Sequence, residues 1–385
     1  FIADRDAVRR RNVIASPDHG HDRMWSCQHG PTPRGVATTG HRAALRINFS
    51  VAAIGREKML IWAPASDVLR PGAQLVTSVS FPGVRQVPLL LEVLTVTSPP
   101  VGEDDVLTLC RICDPGATVL AVIGQYLLES GPWATKAQLG AGGLPIRSLA
   151  SAVEIGVAAT DKEKRQAFEL RQLAYAAAGK VAVGRTMAAG DDHDREAIIV
   201  IARHKGTVIA SLRLMYHGPG EAFEHEAYTE LPADLDRSRT TEITRLCTHP
   251  EFRGSDLLAA LLQFSALAVI AAGRPIVLSS ATKKLLPLYE RLGMRSTGNS
   301  YIHSDLADLE HWLITGDARQ VLPGRGIGPL AWNVMWAQTW DRAVQTGVVR
   351  PQVRERTRTT TYRGLGPLAR SLALRSASKR RVAPQ

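Results

Sequence analysis

Three consecutive stretches in the second half of the chain decide its fold: TTEITRLCTH at 240–249, SDLLAALLQFSALAVIAAG at 255–273 and RPIVLSSA at 274–281. The outer two stretches are rich in β-branched residues and predict strands. The middle stretch has Ser255 as an N-cap and Gly273 just past its end, and its apolar residues predict one long, buried helix. A strand, a long helix and a second strand in succession indicate a layered fold of α and β elements.

The neighbouring stretches extend this pattern on both sides. Before it, residues 161–179 have apolar positions at helical spacing, and residues 196–216 form two strand-like runs around a Lys-Gly turn, which predicts a hairpin. After it, residues 283–293 predict a short helix and residues 294–304 a final strand. This order predicts an α+β fold with a central, mostly antiparallel sheet.

The N-terminal part of the chain has a different texture. Short β-branched or alternating runs between residues 46 and 112 are separated by Gly, Pro and Asp turn signals, and they predict a small β-barrel of five or six strands with a closing helix. The whole sequence therefore predicts five segments. They are a flexible leader over 1–40, the barrel over 41–130, a linker over 131–151, the α+β domain over 152–315 and a helical, basic extension over 316–385.

Charge and cysteine content narrow the classes of function. The ten basic residues from Arg350 onward face one acid, Glu355, which gives this tail +9 and leaves +2 of the total of +11 for the rest. Leucines and arginines mixed in this tail favour a peripheral contact with an anionic membrane, and no base-reading element for nucleic acid accompanies them. The four scattered cysteines favour a reducing compartment, so we expect a cytoplasmic protein with no metal site.

A tryptophan stripe stands out near the C-terminus. Trp332, Trp336 and Trp340 recur at i, i+4 and i+8, which places them on one face of a helix. We expect this face to pack against the α+β domain, because large aromatic side chains stabilise a structure mainly through buried area.

The closing helix and the stretch PASDVLRPGAQLVTSVSF at 64–81 are the most distinctive parts of the barrel segment. In both, the segment resembles the PilZ family, whose barrels sense cyclic di-GMP in many bacterial proteins. Arg42 and Arg46 supply the R-x-x-x-R half of the family's ligand motif, whereas Ala53 stands where the other half has glycine. The resemblance implies cyclic di-GMP at these arginines; the alternative is a pair of solvated charges at a strand entrance.

Four short motifs occur in order along the α+β domain: L-R-x-x-x-[FY] on the first helix, D-x-x-D before the hairpin, an arginine at its end and E-x-x-R on the central strand. Their residues are Arg171 and Tyr175, Asp191 and Asp194, Arg213, and Glu242 with Arg245. With these motifs, residues 160–305 resemble the GNAT acyltransferases, and within them the N-acyl amino acid synthases and the related acyl-homoserine-lactone synthases.

By this resemblance the domain moves an acyl group from a thioester to an amine, with Glu242, Arg213 and Arg245 as catalytic residues. Aminolysis needs a neutral amine, so we expect the Glu242 carboxylate to be the base, directly or through one water. Side chains alternate along a strand, and a β-bulge is therefore needed if Glu242 and Arg245 are to act together. The residues expected to bind and order the acceptor are Arg171, Tyr175, Asp191 and Asp194.

The loop Arg253-Gly254-Ser255 before the long helix bears on the donor. Coenzyme A-dependent GNAT enzymes have a glycine-rich loop here that holds pyrophosphate. This chain lacks the second glycine and has an aspartate next, which disfavours coenzyme A. The loop could hold the single phosphate of a phosphopantetheine arm on an acyl carrier protein, and Lys283 and Lys284 would receive the acidic carrier. No tightly bound cofactor is expected.

The combined prediction is an N-acyl amino acid synthase that transfers a long acyl chain from acyl carrier protein to the α-amine of an amino acid. Two alternatives remain open. One is an acyl-homoserine-lactone synthase that uses S-adenosylmethionine as acceptor, and the other is a cyclic di-GMP effector with a catalytically silent acyltransferase-like domain.

Overall fold

The computed structural model describes residues 23–27, 30–38, 46–97, 105–181, 190–254, 256–303 and 306–366. The chain forms two compact units, Phe1–Ala152 and Val153–Gln385, and each contains its own sheet. No helix among the described residues combines the length and the apolar character needed to cross a bilayer.

The first unit is a closed antiparallel barrel of six strands with a seventh strand beside it. Its strands are β1 (Met24–Ser26), β2 (Arg34–Thr38), β3 (Arg46–Gly55), β4 (Lys58–Pro64), β5 (Gln74–Phe81), β6 (Arg85–Thr97) and β7 (Asp105–Cys113). Their order is β1-β3-β2-β5-β6-β7-β4, and pairing of β3 with β4 closes the barrel. Helix α1 (Ala117–Ser130) follows β7, so the predicted barrel with a helix after its last strand is confirmed.

Two strands of this unit come from the segment predicted as a flexible leader. Strands β1 and β2 both lie within residues 1–40, and both pair with β3. Gly35 on β2 permits the close approach, because a Cβ atom there would lie 2.2 Å from Cζ of Phe49 on β3. β1 pairs with the far end of β3, and β2 also pairs with β5, so partners distant in sequence order this part of the leader, and a local pattern does not reveal such pairing.

The segment predicted as a linker also has regular structure. Helix α2 (Lys136–Ala141) begins after Thr135, whose hydroxyl accepts from the backbone N–H of Gln138 at 3.1 Å, while the Gln138 side chain accepts from the Thr135 N–H. Leu139, Leu144 and Leu149 are buried. These apolar anchors hold the segment in the first unit, although its high glycine content resembles that of a linker.

The second unit is built around one seven-stranded sheet. Its strands are β8 (Glu154–Val157), β9 (Ile198–His204), β10 (Thr207–Met215), β11 (Thr240–Thr248), β12 (Ile276–Thr282), β13 (Arg295–His303) and β14 (Leu309–Asp317). Their order is β13-β14-β12-β11-β10-β9-β8, and each neighbouring pair is antiparallel except β11 with β12. The predicted α+β fold is confirmed, including the hairpin, whose turn residues Lys205 and Gly206 both have positive φ.

Helices cover this sheet and join it to the C-terminal segment. They are α3 (Asp161–Ala176), α4 (Leu257–Ala271), α5 (Leu286–Arg291), α6 (Ala318–Val321), α7 (Pro329–Met335) and α8 (Ala337–Gln345), and residues 353–366 are also helical. The long helix α4 shares one buried cluster with Trp332, Trp336 and Trp340. The predicted docking of the tryptophan stripe is confirmed, although the helix breaks at Trp336 into α7 and α8.

Two details of the second unit differ from the sequence prediction. Strand β13 is not the last strand, because β14 follows it and inserts between β12 and β13. β14 pairs along its length with β12, from Ile276 against Asp317 to Thr282 against His311. Its place depends on this long-range pairing. Helix α4 begins at Leu257, and its predicted N-cap, Ser255, lies outside the described residues.

Candidate active site

Strands β11 and β12 diverge within the sheet of the second unit. They pair in parallel over Thr240–Glu242 against Ile276–Leu278, and both strands then continue. A cavity of about 90 Å³ lies between their diverging ends and is lined by residues 243–246 and 279–282. The side chains that complete its wall include Tyr175, Lys180, Glu224, His225, Tyr301 and His311.

A β-bulge shapes this cavity from the β11 side. Ser211 of β10 pairs with Cys247 and Arg213 pairs with Thr244, so a single residue of β10 opposes two residues of β11, Arg245 and Leu246. Arg245 has a φ of 55°, which is the left-handed region that L-residues rarely adopt. The bulge that the motif spacing required is therefore confirmed, and it turns Arg245 toward the cavity.

Six charged side chains beside the cavity form one connected group, here called the arginine–carboxylate cluster: Arg171, Arg213, Arg245, Asp191, Asp194 and Glu224. Arg171 donates to both oxygens of Asp194, at 2.8 and 2.9 Å. The backbone N–H of Asp191 donates to the same carboxylate at 2.8 Å. This bidentate contact joins α3 to the D-x-x-D segment. The motifs predict that these residues act together.

Arg213 is the centre of the cluster and is fully buried. Its Nε donates to Thr244 Oγ1 at 2.9 Å, its Nη1 to both aspartates of the D-x-x-D motif, and its Nη2 to Glu224 at 2.5 Å. Arg245 contacts Asp191 at 3.0 Å and Glu224 at 2.9 Å. Three guanidinium groups thus face three carboxylates, and this balance is what makes their burial tolerable.

The structure places Glu242 behind the cavity wall. It is fully buried, and each of its carboxylate oxygens accepts two hydrogen bonds. Oε2 accepts from His217 Nε2 at 2.8 Å and from the Glu224 N–H at 2.9 Å, while Oε1 accepts from the His225 N–H at 3.0 Å and from His225 Nδ1. Burial alone would raise the pKa of Glu242, but the hydrogen bonds from the two histidines outweigh burial and hold that pKa below its ordinary value.

The cavity wall is aromatic as well as charged. Tyr175 and Tyr301 both line it, and burial raises the pKa of each phenol to about 12, so both are neutral near pH 7. Tyr301 donates to Ser280 Oγ at 2.9 Å. Lys180 lies over the ring of Tyr175, with its Nζ 5.7 Å from the ring centroid, and burial lowers the pKa of Lys180. The wall therefore offers a cation next to apolar ring faces.

The residues predicted to bind the acyl donor lie in two places, at the end of α3 and at the rim of the cavity. Arg253 donates to the backbone carbonyls of Ala174 at 2.7 Å and Ala177 at 3.4 Å, so its guanidinium caps the end of α3. Gly254 follows with a positive φ of 64°. Lys283 and Lys284 are exposed in a turn between Thr282 and Leu285, both of which line the cavity. These lysines therefore lie at its rim.

The residues predicted to bind cyclic di-GMP belong to the first unit. Arg46 is exposed at the first position of β3. Arg42 lies outside the described residues. The same is true of the basic tail beyond residue 366, for which a membrane contact is predicted.

Three residues of the site were not among those predicted from the sequence: His217, Glu224 and His225. They lie between β10 and β11, in the loop whose acidic stretch EAFEHEAY at 221–228 has no helical or strand period. A short 3₁₀ turn over Glu224–Ala227 aims two of them inward, and both side chains are buried. The nearest sequence signal was a histidine between two glutamates in a loop next to the E-x-x-R strand.

We expect the second unit to lose stability in acid, because the Asp194 carboxylate of the arginine–carboxylate cluster then becomes protonated. Burial raises the pKa of Asp194, but the hydrogen bonds and charge of Arg171 outweigh it and lower that pKa to about 2. A group with a lowered folded-state pKa contributes stability above its unfolded pKa, and this contribution, about 2 kcal/mol here, is lost as the pH falls from roughly 4 toward 2. Urea unfolding between pH 7 and roughly pH 2 measures the effect. Asp194→Asn should flatten the acid limb, and an equally steep limb in that variant would contradict the assignment.

Comparison with known proteins gives a family for this part of the chain. Residues 166–311 match the family model described as N-acyl amino acid synthase FeeM. No match was found among curated proteins. Solved structures similar to this chain include FeeM, an N-acyl amino acid synthase from uncultured soil microbes (10% identity, 45% of this chain, 95% of that chain, TM-score 0.36). A second is an acyl-CoA N-acyltransferase from Pseudomonas aeruginosa (19% identity, 43% of this chain, 98% of that chain, TM-score 0.33). A third is the acyl-homoserine-lactone synthase LasI (14% identity, 43% of this chain, 89% of that chain, TM-score 0.34).

The family match takes in most of α3, all of β11 and β12 and the first residues of β14, which lie around the cavity. It includes each of the residues predicted from the four motifs, Arg171 through Arg245. Because residues 166–311 match the N-acyl amino acid synthase family over the cavity and all four motifs, this part of the protein is an N-acyltransferase.

Proposed function

We propose that the protein transfers a long acyl chain from the thioester of an acyl carrier protein to the α-amine of an amino acid. The observation that carries this proposal is the cavity between the diverging strands β11 and β12, with the arginine–carboxylate cluster beside it. At about 90 Å³ it has room for a thioester and an amino group, and the rest of the acyl chain must extend beyond it.

A free cation on the wall supports an amino acid as the acceptor. The three arginines of the cluster are balanced by three carboxylates and have no net charge to offer a substrate. Lys180 lines the same cavity and has no carboxylate partner among the described residues. We infer that its ammonium group binds the α-carboxylate of the acceptor, because a partly buried cation gains strongly from an anionic ligand.

The rim of the cavity supports a carrier protein as the donor. Lys283 and Lys284 are exposed beside Thr282, so an acidic carrier docked on them would deliver its pantetheine arm at the cavity. Arg253 is occupied by carbonyls of α3, and we therefore assign the contact with the carrier to the two lysines. Cyclic di-GMP binding at Arg46 and membrane contact of the tail stay predictions.

Incubating the full chain with an acyl carrier protein charged with a long acyl chain and a mixture of amino acids should give an N-acyl amino acid by mass spectrometry. The double variant Lys283→Glu/Lys284→Glu is expected to raise the KM for the charged carrier about tenfold or more, since rim charges act mainly on encounter. The same variant should leave turnover of a free acyl-pantetheine unchanged.

Other outcomes point to other reactions. Turnover of acyl-coenzyme A with no amide from the carrier would contradict the proposed donor. A homoserine lactone formed from S-adenosylmethionine, with no product from amino acids, would contradict the proposed acceptor.

A further inference from the structure

Glu242 is poorly placed to take a proton from a substrate amine. All four hydrogen-bonding positions of its carboxylate are filled by described donors, two from side chains and two from backbone N–H groups. Its side chain is fully buried, and it is not among the residues that line the cavity. An amine in the cavity would meet other side chains before it reached this carboxylate.

His225 lies between Glu242 and the cavity. Its Nδ1 is hydrogen-bonded to Glu242 Oε1, its backbone N–H donates to the same oxygen at 3.0 Å, and its side chain lines the cavity. A carboxylate only accepts hydrogen bonds, so the proton of a neutral imidazole resides on Nδ1, and Nε2 carries the free lone pair. Nε2 is on the side of the ring opposite Nδ1, and it forms no hydrogen bond within the described part of the chain.

The ring of His225 is held in one orientation by its surroundings. Tyr301 meets it edge to face, with ring centroids 6.1 Å apart. His217 occupies the other oxygen of Glu242 and does not line the cavity, so the two histidines have different access to a substrate. A histidine that is hydrogen-bonded to a buried carboxylate through Nδ1 and open through Nε2 is a suitable general base.

We propose that His225 is the general base for amide formation in this protein, and that Glu242 is a positioning residue that fixes the tautomer and orientation of His225. This inference rests on the proposed function, because it requires an amine and a thioester in the cavity. It assigns the catalytic residue to the loop between β10 and β11, outside the four motifs.

The proposed step conserves atoms and charge. The neutral amine attacks the thioester carbonyl carbon and forms the C–N bond, which leaves an extra proton on nitrogen. His225 Nε2 takes this proton, and the resulting imidazolium is stabilised by the Glu242 carboxylate. The tetrahedral intermediate then expels the pantetheine thiolate by breaking the C–S bond, and the thiolate receives the proton from Nε2. The products are the amide and the free thiol, with His225 neutral again.

The test compares variants of the full chain in amide formation and thiol release. His225→Asn keeps a side-chain donor for Glu242 and removes the base, so kcat should fall about a hundredfold to ten-thousandfold with little change in KM. Glu242→Gln should also lower kcat. His217→Gln, which loses a neighbour of the same carboxylate but no group on the cavity wall, should lower kcat by less than about tenfold. The exposed His193→Gln is the surface control and should equal the wild type.

Chemical rescue separates a catalytic histidine from a structural one. Added imidazole should restore part of the activity of His225→Ala but none of that of Glu242→Gln. If the wild type forms the amide and His225→Asn keeps nearly full activity, the role of His225 is overturned and the proposed function is not. Loss in Glu242→Gln with no loss in His225→Asn would return the role of base to Glu242. A wild type that forms no amide overturns the proposed function, and this role with it.

Discussion

Replacing Arg213 with alanine is expected to lower the free energy of unfolding of the second unit by about 3–5 kcal/mol. Arg213 is fully buried, and its guanidinium contacts Asp191, Asp194 and Glu224. Without it, three carboxylates would face two arginines, and two of those carboxylates, Asp194 and Glu224, are buried. The cost is dominated by the carboxylate left without a partner, since a buried charge loses its hydration and gains nothing in return.

Denaturant unfolding of the second unit measures this effect, and two further variants test its cause. Arg195→Ala removes an exposed arginine whose nearest carboxylate, Asp192, is 3.6 Å away, and it should change stability by less than about 0.5 kcal/mol. Adding Glu224→Gln to Arg213→Ala removes the excess negative charge and should recover part of the loss, because the two sites are coupled. If Arg213→Ala were as mild as Arg195→Ala, the cluster would not be buried as described.

Replacing Trp332 with alanine should destabilise the second unit by about 3–5 kcal/mol, the range for large aromatic side chains removed from a core. Trp332 is fully buried, and its indole Nε1 donates to the Leu322 carbonyl at 2.8 Å. It lies in the cluster that joins α7 and α8 to the long helix α4. The substitution leaves a cavity and also removes the hydrogen-bond donor of the Leu322 carbonyl.

Val334→Ala is the matched control for Trp332→Ala. Val334 lies two residues away on the same helix with 63% of its surface exposed. Its replacement should therefore change the free energy of unfolding by no more than about 0.5 kcal/mol. Thermal unfolding compares the two variants. Equal melting temperatures would show that the C-terminal helices contribute little to the second unit, contrary to their packing against α4.

The arginine–carboxylate cluster and the Glu242 site serve different purposes, although they are neighbours. The cluster pairs each charge with a charge of opposite sign, and it ties α3, the D-x-x-D segment and the bulge of β11 together. Glu242 instead interacts with histidines and backbone N–H groups. The first arrangement fixes geometry, whereas the second holds two imidazole rings against one buried carboxylate.

Local patterns in the sequence were enough for the elements whose burial is strongly periodic. The hairpin around Lys205 and Gly206, the long helix α4, barrel strands β3 to β7 and the tryptophan stripe all follow from the spacing of apolar residues and from turn residues. These features depend on interactions between residues close in sequence, or on a side-chain period that the sequence itself displays. The bulge at Arg245 is different, because it was expected only through the family resemblance, in which the two ends of the E-x-x-R motif act together.

Other features depend on contacts between residues far apart in the chain, and only the tertiary structure decides them. Strands β1, β2 and β14 are placed by their partners, and the leucines of residues 131–151 by the core that they join. The roles of Glu242 and His225 likewise depend on how a loop without periodicity folds across β11. A motif names the chemical groups that a site contains, but distance and burial determine which of them reaches the substrate, because desolvation and hydrogen bonding act in three dimensions.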